Sequence, residues 1–117
     1  MLVITRHRPG DVASFVDVAR DAFAALADRP GFVTARLGRA TEDPAMFVVS
    51  TEWADAGSYR RALSPVDVRV RTLPLFNTAI DEFGVFEIVY GVTADGLVIE
   101  RPSDAASDPT RSRGGRE

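Results

Sequence analysis

The sequence predicts an α+β domain with the element order β-α-β-β-α-β, the split βαβ or ferredoxin-like order, built on an antiparallel sheet. Three observations predict it. A strand-like run at Leu2–Thr5 precedes the clearest amphipathic segment of the chain. Two alternating segments then flank a Glu42-Asp43-Pro44 turn, which reads as a hairpin. Two helical signals follow, and they lead into a last apolar run at Glu82–Tyr90.

The elements follow in order. The first strand is expected to reach about Arg8, where Pro9-Gly10 marks a turn. Asp11 is placed to cap a helix over Asp11–Ala27. There Val12, Phe15, Val16, Ala19, Phe23 and Leu26 recur at three- and four-residue spacing, with Asp17, Arg20, Asp21 and Asp28 largely off that face. Pro30-Gly31 stops it. Phe32–Ala40 and Ala45–Trp53 form the hairpin strands, and Asp55 caps a short helix over about Ala56–Leu63. Ser64-Pro65-Val66-Asp67 reads as a second cap, with Ser64 at N-cap and Pro65 at N1. Beyond it two periods compete. Val66, Val68 and Val70 alternate as in a strand, whereas Val66, Val70 and Leu73 repeat as in a helix. The cap decides for a short helix ending near Pro74. Leu97–Glu100 is a candidate extra strand.

Length and composition set the organisation. The 117 residues (12.7 kDa) suit one domain, placed at residues 1–100. From Arg101 on, Pro, Ser, Gly and Asp dominate, and residues 101–117 are expected to form a flexible tail. With no Cys, disulfides, thiolate nucleophiles and cysteine metal sites are excluded. A single His excludes sites that need two imidazoles, and no cluster with metal-ligand spacing or phosphate-binding loop is visible, so no metal or cofactor is expected. Net charge −3 argues against a nucleic-acid partner. No run approaches the roughly 20 apolar residues of a membrane span, and no export signal is visible, which makes the cytoplasm the expected compartment.

Met46–Val49 runs apolar without alternation, and Val85–Tyr90 nearly does. With helices on one face only, such strands would leave apolar side chains on the bare face. A second copy of the chain packed sheet to sheet is the expected cover, with the C-terminal segment as the other possibility.

Several residues carry potential chemistry. His7 is the one side chain with an ordinary pKa near neutrality, and hence the candidate base, or else a solvated residue between Arg6 and Arg8. Arg61, Arg69 and Arg71 fall on the second helical region, where one could stabilise an oxyanion; Arg61 is the one chosen. Phe76 and Asn77, just past Pro74, are candidate pocket residues.

The chain resembles the antibiotic biosynthesis monooxygenase family, a branch of the dimeric α+β barrel proteins. Three pieces over about Met1–Gly91 carry the resemblance. They are Asp28-Arg29-Pro30-Gly31-Phe32-Val33, the strand ending Phe47-Val48-Val49-Ser50-Thr51-Glu52-Trp53, and Ala54-Asp55-Ala56-Gly57-Ser58-Tyr59 followed by Leu63-Ser64-Pro65. The resemblance implies a homodimer with a small-aromatic pocket. In the quinone-forming branch a Trp followed six residues later by a Tyr holds a phenolic ring, a spacing met by Trp53 and Tyr59. That branch places an Asn four residues before the Trp. Here the position is Val49, which can shape a pocket but cannot hydrogen-bond a phenolate. The haem-degrading branch needs a helical His and a helical Trp, which this chain does not offer. Two functions stay open. One is a cofactor-independent monooxygenase of phenolic, hydroquinone or polycyclic aromatic substrates. The other is a non-catalytic dimer that binds an aromatic ligand or serves in stress.

Overall fold

The computed structural model describes residues 1–80 and 84–100. The elements are β1 (Leu2–His7), α1 (Val12–Ala27), β2 (Phe32–Arg39), β3 (Phe47–Trp53), α2 (Ala56–Ala62), α3 (Val66–Phe76), β4 (Gly84–Phe86), β5 (Tyr90–Val92) and β6 (Val98–Glu100). The first four strands form one sheet in the order β2-β3-β1-β4. β3 lies antiparallel to both β1 and β2. This is the ferredoxin-like arrangement that the element order implies. The chain divides into two compact units, Met1–Val85 and Phe86–Glu117. The expected tail, residues 101–117, lies outside the described residues.

Local chemistry explains the boundaries. Asp11 caps α1, accepting from the Ser14 backbone N–H at 3.4 Å and from its hydroxyl at 2.9 Å. Asp55 caps α2 by accepting from the Ser58 N–H at 2.7 Å. The hairpin turn is fastened to the end of β1 by Arg8 and Asp43, 2.8 Å apart.

The next cap differs from expectation. Pro65 is the N-cap of α3, with no side-chain cap, and Ser64 instead donates its hydroxyl back to the Arg61 carbonyl at 2.9 Å. α3 also continues through Pro74 to Phe76. The N–H that proline lacks would have met the carbonyl of Val70, which lies on the exposed side of the helix. The expected last strand, Glu82–Tyr90, is shorter. β4 covers Gly84–Phe86, and Tyr90 already belongs to the β5–β6 hairpin. Gly96, at φ +89°, makes the Asp95-Gly96 reversal that pairs Tyr90 with Glu100. Residues 82–83 of that expectation lie outside the described ones.

Alternation along β3 sends Phe47, Val49, Thr51 and Trp53 toward the helices, all buried. β1 does the same with Val3, Thr5 and His7. Two apolar clusters result. One gathers Val3, Leu26, Trp53, Ala62 and Val68; the other gathers Phe15, Ala19, Phe47, Val49 and Leu75. The opposite face carries Leu2, Ile4 and Val48, half-buried, among Ser50, Glu52, Arg6 and Arg36. It is more polar than the unbroken Met46–Val49 run suggests, because Phe47 and Val49 both turn inward. Among the described residues no helix is long and apolar enough to cross a membrane.

Candidate functional site

A cavity of about 350 Å³ opens between α2 and α3. Tyr59 and Leu63, one turn apart, supply the α2 wall. Arg69, Thr72, Leu73 and Phe76 supply the α3 wall, and Asn77, the C-cap of α3, closes the end. The spacing 69, 72, 73, 76 is one helical face. The volume lies within the range of small-molecule sites.

The seven residues proposed from the sequence fall into two sets. Tyr59, Phe76 and Asn77 line the cavity; His7, Trp53, Val49 and Arg61 do not. Two of the latter, Trp53 and Val49, stand directly behind the lining. The Trp53 ring is buried with its centroid 5.8 Å from that of Tyr59. It is held from the other side by the edge of Phe32 at 5.4 Å, and its N–H donates to the Thr51 hydroxyl at 3.0 Å. Trp53 therefore fixes the tilt of Tyr59. Val49 belongs to the apolar cluster against which Phe76 packs.

His7 is fully buried beside Phe15, with ring centroids 5.2 Å apart. Its Nδ1 meets the Thr78 hydroxyl at 2.8 Å and its Nε2 meets the Thr5 hydroxyl at 2.8 Å. The Thr78 hydroxyl donates to the Leu75 carbonyl at 2.7 Å, so its oxygen accepts from Nδ1–H, and Nε2 accepts from Thr5. Burial lowers the His7 pKa, and hydrogen bonding to the Thr78 backbone offsets part of that effect. His7 thereby ties β1 to the segment that follows Asn77.

The lining is apolar with a few polar groups. Tyr59 has its pKa pushed up to about 12 by burial, so its hydroxyl stays protonated and acts as a donor. Among the described residues neither that hydroxyl nor the Asn77 carboxamide has a hydrogen-bond partner. The Thr72 hydroxyl is already spent on the Val68 carbonyl at 2.9 Å. Arg69 is the cation of the lining, and its Nη1 donates to the Leu63 carbonyl at 3.2 Å and to that of Ser64. Arg61 is exposed, with Nη2 3.5 Å from the Ser58 hydroxyl. Arg71 pairs with Asp21 of α1 at 2.8 Å. The sequence reading thus took the neighbouring arginine and passed over Leu63, Thr72 and Leu73. Thr72 and Leu73 share a face of α3 with Arg69 and Phe76, and Leu63 is the C-cap of α2. Among the described residues no group of three His, Cys, Asp or Glu is arranged to hold a metal ion.

A family model described as antibiotic biosynthesis monooxygenase matches residues 2–67. Among solved structures, SnoaB from Streptomyces nogalater, a cofactor-independent oxygenase, is 28% identical at a TM-score of 0.65, covering 74% of this chain and 89% of its own. A single-substitution variant of SnoaB gives 27% identity and a TM-score of 0.66, covering 74% and 90%. A conserved protein from Methanosarcina mazei, 16% identical with a TM-score of 0.59 and coverage of 71% and 84%, shares the fold. No curated protein matches the chain.

Proposed function

The chain belongs to the antibiotic biosynthesis monooxygenase family, and from that premise we propose that it is a cofactor-independent monooxygenase of phenolic, hydroquinone or polycyclic aromatic substrates. The observation that carries the reading is the α2–α3 cavity, an apolar slot with two polar groups, Tyr59 and Asn77, that have no hydrogen-bond partner among the described residues. Its walls, Leu63, Leu73 and Phe76, fit a flat ring, and Tyr59 and Asn77 fit its oxygens. In such a reaction the substrate is the reductant. A ring C–H ortho or para to a hydroxyl becomes a carbonyl, the second hydrogen coming from that hydroxyl or, in the keto form of an anthrone, from the same carbon; one atom of dioxygen enters the ring and the other leaves as water with those two hydrogens. The protein's part is to orient the ring, exclude water and hold the oxygen that bears charge.

The test is oxygen uptake with a panel of anthrones and naphthohydroquinones. Uptake above buffer is expected, with anthraquinones formed from the anthrones and a product carrying one added ring oxygen from the naphthohydroquinones, and Tyr59→Phe should lower kcat/KM by about ten- to a hundredfold. No uptake across the panel would refute the reading.

A second reading, aromatic-ligand binding without turnover, is favoured by one observation: the described residues that line the cavity include no His, Asp or Glu. It predicts ligand-induced melting shifts with no product. The proposal extends to assembly, with a second copy packed on the helix-free face where Leu2, Ile4 and Val48 lie.

A further inference from the structure

The end of the α2–α3 cavity is fastened to the sheet through one buried imidazole. Asn77, which closes that end, is followed by Thr78, Ala79 and Ile80. The Ile80 N–H donates to the Arg6 carbonyl at 2.9 Å, and Ala79 forms a bridge with His7. Side chains add a one-way chain of donors: Thr5 to His7 Nε2 at 2.8 Å, His7 Nδ1–H to Thr78 at 2.8 Å, and Thr78 to the Leu75 carbonyl at 2.7 Å. The two partners of the ring differ in freedom. Thr5 is buried on a strand with neighbours on both sides, whereas Thr78 is exposed. The charged groups on the surrounding elements are engaged elsewhere or point away. Arg6 and Arg8 of β1 are exposed, and Arg8 pairs with Asp43. Asp11, at the head of α1, is held by Ser14, while Phe15 meets the ring. Arg39 of β2 lies over Phe47, the β3 partner of His7, and Arg71 of α3 pairs with Asp21. β4 carries no charge, and Asp81 and Glu82 lie outside the described residues.

A proton on His7 breaks this chain at a defined point. Nε2 then carries a hydrogen, and Thr5 must turn its own hydrogen away. The ring holds a full charge between two neutral hydroxyls, which do not replace water around an imidazolium. Thr5 cannot yield, because the strands beside β1 fix it. Thr78 can, because it already lies at the surface. Resting on the reading that the cavity takes an aromatic ligand, we propose that Thr5, His7 and Thr78 form a proton-operated latch: neutral His7 holds residues 77–80 against β1 and completes the cavity, and charged His7 releases them and weakens the hold on the ligand. Burial disfavours the charged ring, so proton uptake and release of Thr78 to water favour each other. The proton acts on the wall of the cavity and not on the ligand.

The chain has one His, so a single set of imidazole NMR signals follows the titration. Amide exchange, corrected for its intrinsic pH dependence, reads the latch. Protection of Ile80 should fall at least about fivefold as the ring charges, while the amides of β3 keep theirs. Naphthoquinone, which does not titrate, reads the cavity through quenching of Trp53 behind Tyr59. Its affinity should fall by about five- to tenfold over the same pH range, and saturation with it should lower the pH at which the ring titrates. Thr78→Val, a change at the surface, should leave Ile80 poorly protected at every pH and remove most of the pH dependence of binding. Thr78→Ser should restore both. Four results would each overturn the proposal: flat Ile80 protection through the titration, a loss shared with β3, a fall of the same size in Thr78→Val, or a ligand that does not move the titration. If naphthoquinone binds at no pH while Ile80 protection still falls, the aromatic reading fails and the latch stands. Binding combined with flat protection does the reverse.

Discussion

His7 links a buried ring to the stability of the whole chain through its proton. Its folded pKa is lowered by burial, so the unfolded chain binds the proton more readily. Stability is therefore complete above the unfolded value of about 6.5 and declines as pH falls from there toward the folded pKa. A urea midpoint that drops as pH falls below about 6.5 is expected, and His7→Gln should flatten that slope. An unchanged slope in the variant would show that other groups set it. The residue scale is also where the sequence was hardest to read. Composition makes His7 the one neutral-pH base, but only the fold shows that two threonines hold it. Arg61 and Arg69 are equivalent as letters. What separates them is that Arg69 lies one turn before Leu73 and Phe76 on the cavity face of α3.

Gly31 shows how one element is seated on another. It sits at φ +87°, and a Cβ there would lie 2.3 Å from the Ser58 hydroxyl oxygen on α2. Gly31→Ala combines left-handed strain with that clash and should cost at least about 2 kcal/mol, read from denaturant midpoints. Gly38 is the contrast. Its Cβ would meet only a Val48 methyl, at 3.2 Å, so Gly38→Ala should be much milder. Element order was legible because α1 and α2 each begin at an Asp cap and turn residues such as Pro9-Gly10, Pro30-Gly31 and Asp43-Pro44 separate the strand-like runs. The face of α3 was not. Val66, Val70 and Leu73 form the repeat that signals a helix, yet they are 64%, 63% and 48% exposed. Val68, Thr72 and Leu75 are buried instead. Two interleaved apolar sets on one helix leave periodicity with no means of choosing. The last strand ends earlier than its apolar run suggests, because Asp95-Gly96, a turn dipeptide beyond that run, folds Tyr90–Val92 against Val98–Glu100.

For the whole molecule, the proposed pairing makes a hydrodynamic prediction. Light scattering should give twice the chain mass of 12.7 kDa, and Val48→Asp should shift the population toward the single chain. A monomer at all concentrations would remove the pairing. The helix-free face mixes Arg6 and Arg36 with Glu52, and in a two-fold contact each patch meets its own copy, so opposite charges can face each other. The β5–β6 hairpin, taken by itself, leaves Tyr90, Val92 and Val98 more than half exposed, and a two-stranded ribbon is marginal in water without cover. The cavity has a different consequence. Every described residue on its walls falls within Tyr59–Asn77, and none of them comes from the pleated strands. Taste for one ring over another is thus written in a single short paragraph of the chain. Exchanging that paragraph between relatives should carry the preference along, while the framework beneath it stays as it was.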